Sequence, residues 1–291
     1  MLLGVVVKAY SGFYYVKINN TLWECRLRGK FRLTKQNVLA GDMVKVKETG
    51  LQTGVIEEIL PRRTELERPP VANVDQVLIV FACADPEPQS ELLDRMLVHG
   101  EAAGLGPIIC FNKVDLADGK TVQNLTDEYR LAGYTVMLTS AITGVGIEQL
   151  RRRLQGHLTV FAGPSGAGKS SLLNSINPDF RLKTGTVSEK IGRGRHTTRH
   201  TELFELEPGS FVVDSPGFSS LYLPQIEKQY LAEMFPEFLP YLDSCRFTGC
   251  LHRAEPDCAV KQGIEEGKVG RERHTHYLLF LEELIDRERR Y

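Results

Sequence analysis

The chain has 291 residues with 42% hydrophobic and 25% charged residues and a net charge of −1. This length predicts two or three domains, and the composition is ordinary for globular proteins. No apolar run approaches the roughly 18 residues of a membrane-spanning helix, and the start, MLLGVVVKAYSG, lacks the layout of a secretory signal. We therefore expect a cytoplasmic protein with no membrane segment.

Residues 1–63 are predicted to form a small β-barrel. Five short β-prone runs alternate with turn signals such as Ser11-Gly12 and Gly41-Asp42. Five strands in about sixty residues indicate a barrel of the oligonucleotide-binding (OB) type.

This first segment is also basic. It contains eleven lysines and arginines against five acidic residues, and aromatic residues are interleaved with the basic ones. Cations attract the phosphates of a nucleic acid and rings stack on unpaired bases, so the mixture suits RNA binding. A solvated basic face around an aromatic core is the competing interpretation, and composition alone favours neither.

Residues 64–73, TELERPPVAN, are predicted to be a linker because Pro69-Pro70 interrupts regular structure. In residues 74–224, the apolar runs VDQVLIVFA, PIICFN, TVMLTSA and LTVFAG alternate with helix-compatible stretches. This pattern predicts a parallel sheet covered on both faces by helices. A hairpin, TELFELEPGSFVVD, is predicted to lead into the sequence DSPG.

The stretch GPSGAGKS fits the phosphate-binding pattern G-x-x-x-x-G-K-[ST] between a strand and a helix start. Its backbone N–H groups can surround phosphate, and the helix N-terminus adds partial positive charge. Lys169 is expected to reach the β- and γ-phosphates and to act in catalysis, and the Ser170 hydroxyl to bind the Mg²⁺ of the nucleotide. The residues expected at the phosphates are Gly163, Pro164, Ser165, Gly166, Ala167, Gly168, Lys169, Ser170 and Ser171.

The sequence NKVD indicates guanine rather than adenine. Asp115 can accept two parallel hydrogen bonds from the guanine N1–H and amino group, a donor pair that adenine lacks. Asn112 is expected at the other edge of the base, with the Lys113 stem over its face. The sequence TSA adds Ser140 and the Ala141 N–H, which is expected to face guanine O6. A polar turn at a strand end is the competing interpretation of NKVD, and its position after the apolar run PIICF argues against it.

Two later stretches are expected to sense the γ-phosphate. In DSPG, Asp214 is expected to hold Mg²⁺ through water, and the Gly217 N–H to face the γ-phosphate. GRGRHTTRH, residues 192–200, occupies the position of a first switch. Thr198 is the preferred Mg²⁺ and γ-phosphate ligand there, and Thr197 is the alternative.

Phe218 follows DSPG at the position where many GTPases carry a glutamine that orients the attacking water. We therefore expect slow intrinsic hydrolysis, with the water oriented by another group. His196, in the first switch, is the candidate catalytic residue because imidazole can accept or relay a proton near neutral pH. A contact with RNA or solvent is the alternative interpretation of His196.

The region 225–291 is predicted to be a mainly helical, zinc-binding domain. Its pattern C-x4-C-x-H-x5-C supplies three thiolates and an imidazole, which suit one tetrahedral, structural Zn²⁺. A disulfide framework does not suit a cytosolic protein, and the isolated cysteines at 25, 83 and 110 are predicted to be core residues. His274 and His276, in the last helix, are predicted to lie at the surface. The expected zinc ligands are Cys245, Cys250, His252 and Cys258.

Taken together, these motifs resemble the circularly permuted GTPases that assist maturation of the bacterial small (30S) ribosomal subunit, the ribosome small-subunit-dependent GTPase A family. The order NKVD–TSA–GPSGAGKS–HTT–DSPG and the sequence CRFTGCLHRAEPDC carry the resemblance, which covers essentially the whole chain. It implies GTP hydrolysis stimulated by the 30S subunit, late in its assembly, with contacts to 16S rRNA. It also implies a multidomain fold, expected as a monomer, of an OB barrel (1–63), a linker (64–73), a permuted α/β GTPase domain (74–224) and a zinc-binding domain (225–291).

Other functions remain open at this point. NKVD and TSA oppose an ATP-dependent kinase, and intact Lys169, Ser170, Thr198 and Asp214 oppose an RNA-binding scaffold with an inactive nucleotide site. A tRNA or the large ribosomal subunit as the partner would change the expected target but not the expected GTPase activity.

The permutation places DSPG directly before the zinc-binding segment. We therefore hypothesise that γ-phosphate contact at Gly217 reorients that domain.

Overall fold

The computed structural model describes residues 1–29, 31, 37–67, 69–178, 201–214 and 222–289. The chain divides into two compact units. The first consists of Met1–Leu78, Ile147–Ala162 and Lys169–Phe218. The second consists of Ile79–Gly146, Gly163–Gly168 and Ser219–Tyr291.

Five strands in the first unit close a barrel in the order β1-β2-β3-β5-β4. The strands are β1 (Leu2–Tyr10), β2 (Phe13–Ile18), β3 (Thr21–Leu27), β4 (Met43–Gly50) and β5 (Thr53–Ile59). β3 pairs with β5 in parallel, and the other neighbours are antiparallel. The side chains that fill the barrel include Val6, Val16, Ile18, Cys25, Val44, Val46 and Ile56. The predicted five-stranded barrel is confirmed.

The stretch predicted to be an irregular linker contains a small hairpin. β6 (Glu65–Glu67) pairs antiparallel with β7 (Pro70–Ala72). β6 ends before the two prolines, but regular structure resumes at Pro70 rather than stopping there. Pro70 is the first residue of a strand in a two-stranded sheet, where a missing N–H removes no central ladder hydrogen bond.

A buried carboxylate connects the barrel to this hairpin. Asp42 is fully buried and accepts a hydrogen bond from the Leu39 N–H at 2.8 Å. Both of its oxygens accept from Arg62, at 2.8 Å from Nε and 2.8 Å from Nη2. The same guanidinium donates to Glu65 at 2.8 Å. These hydrogen bonds raise the pKa of Arg62, which stays charged and fixes the barrel end against β6.

A six-stranded sheet has the order β10-β9-β8-β11-β13-β12. β9 and β10 are parallel, as are β11 and β13, whereas β12 and β13 form the predicted antiparallel hairpin. Every residue of β8 and β11 is buried, which explains why their sequences are apolar except at Gln76 and Thr159. The strands are β8 (Gln76–Ala82), β9 (Gly106–Asn112), β10 (Thr135–Leu138), β11 (Leu158–Ala162), β12 (Phe204–Glu207) and β13 (Ser210–Asp214).

The helices of the described ranges are α1 (Ser90–Ala102), α2 (Gly119–Leu131), α3 (Ile147–Leu154), α4 (Lys169–Ile176), α5 (Ala259–Glu265) and α6 (Arg271–Arg289). Short 3₁₀ helices lie at Val114–Leu116, Lys228–Met234 and Pro236–Ser244. The predicted last helix is therefore confirmed as α6, while the helical stretches at the start of region 225–291 are 3₁₀ rather than α-helix. Among the described helices, none has the length and apolar character needed to cross a membrane.

Buried charges hold α6 to the rest of the second unit. Arg273 is 1% exposed and donates to Asp94 of α1 at 2.7 Å. It also donates to both oxygens of Glu237, at 2.7 and 3.0 Å. Glu128 of α2 accepts from the Arg273 N–H at 3.2 Å and so caps the first turn of α6. Helices α1 and α2, which follow β8 and β9 in the chain, are thus attached to the last helix.

The prediction that His276 lies at the surface is wrong. Its side chain belongs to the same buried cluster, because the residue is 8% exposed and its Nδ1 lies 2.6 Å from Asp94. The hydrogen bond to Asp94 raises the pKa of His276, although burial opposes the shift. His274 is half-buried, with Nε2 2.9 Å from the His252 carbonyl. The cysteines at 25, 83 and 110 are buried, as predicted.

The contact between His276 and Asp94 predicts a pH-dependent stability. A folded-state pKa above the ordinary value of 6.5 means that the contribution is fully present below that value. The contribution is lost as the pH rises through the folded-state pKa. Asp94, Glu272 and Glu91 all favour the charged imidazole. We expect the free energy of unfolding lost in His276→Gln to be larger at about pH 6 than at about pH 9, as measured by urea denaturation followed by helical circular dichroism. A loss that does not change with pH would contradict this prediction.

Candidate functional site

The loop between β11 and α4 depends on backbone approaches that only glycine allows. Gly163 has φ 139°, and a Cβ there would lie 2.1 Å from the Val80 carbonyl oxygen. Gly168 has φ 93°, and a Cβ there would lie 2.3 Å from Nδ2 of Asn112. These two glycines therefore let the loop lie close to β8 and to the start of NKVD.

Asn112 connects the loop to the NKVD and TSA turns. Its side chain is buried, and Nδ2 donates to the Ala167 carbonyl at 3.0 Å. Oδ1 accepts from the Thr139 hydroxyl at 3.2 Å. That hydroxyl has donated its proton, so it accepts in turn from the Cys110 thiol at 3.2 Å. Burial raises the pKa of Cys110 to about 12, which keeps the thiol protonated and able to donate.

The backbone joins NKVD to TSA. The Val114 N–H donates to the Thr139 carbonyl at 3.2 Å, and the Thr139 N–H donates to the Phe111 carbonyl at 2.9 Å. Ser140 is fully buried, and its hydroxyl accepts from the Thr143 N–H at 3.1 Å. Ser140 therefore shapes the TSA turn through its own side chain.

The groups expected to meet the base differ in exposure. Lys113 has φ 61° and its ammonium donates to the Asp85 carbonyl. Asp115 lies in the 3₁₀ helix after β9 and is exposed, while Ala141 is half-buried. The carboxylate of Asp115 is thus accessible to a ligand. The hydrogen bond from the Lys113 ammonium to the Asp85 carbonyl fixes the position of the Lys113 stem.

The phosphate side of the site lies at the ends of two neighbouring strands. α4 begins at Lys169, with Ser170 and Ser171 in its first turn. β13 ends at Asp214, which is in register with Phe161 of β11. The carboxyl ends of β11 and β13 therefore lie side by side, where ligands of α/β sheets bind. The remaining predicted residues lie outside the described residues, namely His196, Thr197, Thr198, Gly217 and Phe218.

The basic excess of the barrel is partly neutralised within the first unit. Lys8 pairs with Glu202 at 2.8 Å, and Lys17 pairs with Glu205 at 2.5 Å. Arg63 pairs with Asp75, a third acid outside residues 1–63. The pairs Arg28–Glu57, Lys45–Glu58 and Arg62–Asp42 join residues that the charge count of the segment already includes. The charge count of the segment therefore overstates the positive field of the folded barrel.

A cation and aromatic rings come together near the turn between β1 and β2. The Arg26 guanidinium lies 4.8 Å over the Phe13 ring, in a cation–π arrangement. Tyr10, at the end of β1, is 54% exposed. Rings and a guanidinium at the surface are suited to stacking on unpaired bases.

The four predicted metal ligands converge. Their ligand atoms all lie within 4.8 Å of one another, at Cys245, Cys250, His252 and Cys258. Nδ1 of His252 lies 3.6 Å from the Cys245 sulfur and 3.4 Å from the Cys258 sulfur, so Nδ1 is the nitrogen that faces the thiols. Burial lowers the pKa of His252, which favours the neutral imidazole that binds metals. Three sulfurs and one nitrogen fit a tetrahedral Zn²⁺ site.

Glu255 organises the metal loop, and sequence reasoning missed it. One carboxylate oxygen accepts from the Leu251 N–H at 2.9 Å. The other accepts from the Arg253 N–H at 2.8 Å and the Ala254 N–H at 3.0 Å. These three donors flank His252, whose φ of 54° lies in the left-handed region. Burial raises the pKa of Glu255, but hydrogen bonds from backbone N–H groups outweigh it and lower the pKa overall.

Helix α6 braces the same loop from the other side. The Tyr277 hydroxyl donates to the Leu251 carbonyl at 2.9 Å. His274 is hydrogen-bonded to the His252 carbonyl, and the Phe238 ring lies edge-on to the His252 ring with centroids 6.1 Å apart. Glu255 is one of two acidic residues inside the ligand loop, with Asp257, and their presence there is the signal in the sequence, whereas the contacts from α6 have no local signal.

The barrel, the sheet with NKVD ahead of GPSGAGKS, and the convergent cysteines and histidine define a circularly permuted GTPase with a metal-binding C-terminal region. Residues 59–224 match the family model of the RsgA GTPase, and residues 3–56 match that of the RsgA N-terminal domain. The chain belongs to the RsgA GTPase family of GTP-hydrolysing enzymes.

Its relatives match over the whole chain. The small ribosomal subunit biogenesis GTPase RsgA of Moorella thermoacetica is 50% identical over 288 residues, which cover 99% of each protein. The protein of the same name from Caldanaerobacter subterraneus subsp. tengcongensis is 47% identical, with 99% of this chain and 97% of the relative covered.

Two solved structures share the fold. YjeQ from Thermotoga maritima has a TM-score of 0.85 at 36% identity, with 98% of each chain covered. YloQ, described as a circularly permuted GTPase, has a TM-score of 0.84 at 40% identity, with 99% of this chain and 96% of that chain covered.

The hydrogen bonds of Glu255 predict that it sets metal affinity. Glu255→Ala leaves three N–H groups beside His252 without their acceptor, so we expect zinc affinity to fall by about 10–100-fold, the usual effect of losing a group that orients a ligand. Competition with a chromophoric chelator measures this affinity. Glu265→Ala, an exposed change in α5, is the matched control. Equal zinc affinity in Glu255→Ala and the control would refute the assignment.

Proposed function

We propose that this protein hydrolyses GTP to GDP and phosphate under stimulation by the 30S ribosomal subunit, acts in late maturation of that subunit and binds 16S rRNA. The observation that carries the nucleotide part is the hydrogen bond from Asn112 to the Ala167 carbonyl. It joins the guanine-specific turn to the phosphate loop, so the base and the phosphates of one nucleotide meet a single preorganised site. The names of the relatives support the ribosomal part.

The exposed Asp115 carboxylate accepts from the guanine N1–H and amino group. The Lys113 stem covers one face of the base, and the Ala141 N–H donates to guanine O6. Adenine presents neither the donor pair nor O6, so this set of groups excludes ATP.

The phosphates lie against the loop and the first turn of α4. Lys169 offsets charge that builds on the β–γ bridging and γ oxygens as the bond between the γ-phosphorus and the bridging oxygen breaks and GDP leaves. Ser170 and Thr198 would hold Mg²⁺ directly and Asp214 through water, with the Gly217 N–H at the γ-phosphate. Mg²⁺, when bound, neutralises phosphate charge. His196 orients the attacking water, since Phe218 offers no polar group.

The barrel supplies the rRNA contact. Arg26, Phe13 and Tyr10 offer rings and a guanidinium on which an unpaired base can stack. The Zn²⁺ of the cysteine–histidine cluster is structural, because four protein ligands leave no position for water. We place the domain boundaries at 1–63, 64–73, 74–224 and 225–291 and expect a cytoplasmic monomer.

The decisive experiment is phosphate release from GTP and ATP, with and without purified 30S subunits. We expect GTP hydrolysis that rises strongly with 30S subunits. Release from ATP instead would indicate a kinase-like or ATPase site, and nucleotide binding without 30S-stimulated release would indicate a scaffold. Stimulation by tRNA or the 50S subunit in place of 30S would change the partner.

Removing the Asp115 carboxylate should abolish the preference for guanine. Asp115→Ala loses two hydrogen bonds to a charged acceptor, so we expect GTP affinity to fall by at least about 100-fold while the weak ATP affinity changes little. Competition against a fluorescent GDP measures both affinities. Asp127→Ala, an exposed carboxylate on α2, is the control. A retained preference for GTP in Asp115→Ala would rule out this role.

The role of His196 is tested by turnover rather than by binding. In His196→Ala we expect 30S-stimulated turnover to fall by about 100-fold or more, with GTP affinity nearly unchanged. Unchanged stimulated turnover would remove His196 from the mechanism. A loss of 30S affinity at unchanged turnover on the bound particle would assign His196 to the RNA contact instead.

A further inference from the structure

The loop between β8 and α1, residues 83–89, is fixed at both of its ends. The Cys83 N–H donates to the Asn112 carbonyl at 2.8 Å, so the loop begins against the end of β9. At the other end, the Gln89 carbonyl accepts from the Leu93 N–H at 3.0 Å, in the first turn of α1. The turn between these two attachments therefore has a defined position.

Two non-glycine residues with positive φ follow β8 and β9 and are joined by a hydrogen bond. Asp85 has φ 46° and Lys113 has φ 61°. The Lys113 ammonium donates to the Asp85 carbonyl. Aspartate tolerates the left-handed region better than most residues, whereas a β-branched residue there is a true outlier. Because such conformations cluster at ligand-binding and catalytic sites, this pair points to a role in the site.

The acceptor of this hydrogen bond is a main-chain atom. A carbonyl is neutral, so the bond uses one of the three N–H groups of the ammonium and leaves its positive charge in place. The backbone conformation at residue 85 sets the direction in which the carbonyl points. The carboxylate of Asp85 is not part of this contact.

The turn that contains Asp85 also lies beside the phosphate loop. A Cβ at Gly166 would lie 3.3 Å from Cδ of Pro86. A Cβ at Gly168 would lie 3.9 Å from Cε of Lys113. The Lys113 stem thus runs past the phosphate loop, and its end reaches the turn. Asp85 and Pro86 are both exposed, which places the turn at the rim of the nucleotide site.

We propose that Asp85 is a positioning residue for guanine nucleotides, because its left-handed backbone directs its carbonyl at the Lys113 ammonium and so holds the Lys113 stem over the base. This inference rests on the proposed function, which places that stem on the face of guanine. A lysine side chain is flexible, and ordering it during binding would cost affinity. The hydrogen bond to Asp85 orders the stem before the nucleotide arrives.

A series of substitutions at residue 85 separates the backbone from the carboxylate. We measure the affinity of the full-length protein for GDP by calorimetry. Asparagine and glycine both accept positive φ, so Asp85→Asn and Asp85→Gly should stay within about threefold of the wild type. Valine does not accept it. We expect Asp85→Val to lose about tenfold or more in affinity, the scale of one hydrogen bond from a charged donor.

Glu87→Val is the matched control. It places the same β-branched side chain in the same loop, at an exposed residue whose φ is not positive. Its affinity for GDP should equal that of the wild type. Equal losses in Asp85→Gly and Asp85→Val would assign the effect to the carboxylate and overturn the proposal. Wild-type affinity in Asp85→Val, or a tenfold loss in Glu87→Val, would overturn it as well.

The variant Lys113→Met distinguishes positioning of the ammonium from a general disturbance of the loop. It keeps an apolar stem of similar length and removes the ammonium. If Asp85 acts through Lys113, adding Asp85→Val to Lys113→Met should cost less than about threefold further affinity. A further tenfold loss in this background overturns the proposal.

The proposed function fails by a different measurement. A wild type that binds GDP but shows no 30S-stimulated release of phosphate would refute the proposed hydrolysis. The role of Asp85 in binding GDP would stand, because the affinity series does not depend on hydrolysis.

Discussion

The buried guanidinium of Arg273 is the interaction on which the second unit depends. It lies between Asp94 and Glu237, with the Phe235 ring 4.7 Å away. A buried ion pair adds little net stability, but removing one partner costs about 3–5 kcal/mol because a charge is left without compensation. The network therefore specifies where α6 sits more than it strengthens the fold. The contacts between α6 and the metal loop depend on this position of α6.

The nucleotide site is fixed by other means, a chain of neutral hydrogen bonds. Cys110 donates to Thr139, Thr139 to Asn112, and Asn112 to the Ala167 carbonyl, so each polar atom in the chain has its partner. Fully satisfied buried networks rigidify their surroundings. This explains how NKVD can precede GPSGAGKS in the chain without disturbing the site, since the site requires neighbouring positions in the sheet and not an order of motifs.

Local patterns predicted much of this architecture, because strands, turns and metal ligands leave signals within a few residues of one another. The barrel, the β12–β13 hairpin and the cysteine–histidine cluster were all visible in this way. The errors arose where the cause was distant. No sequence pattern near His276 predicts its contact with a carboxylate 182 residues away on α1. Likewise, no pattern near Lys8 predicts its ion pair with Glu202. Whether a charged residue is buried depends on how the helices pack together, and a short stretch of sequence does not carry that information.

The attachments of α6 also constrain how a nucleotide signal can act on the metal-binding region. Swinging the metal loop away from α1 would break the buried pairs of Arg273, at a cost comparable to the stability of many domains. A hinge at the start of α6 is therefore unfavourable. The buried ion pairs of Arg273 therefore favour a response in which α1, α6 and the metal loop move as one body.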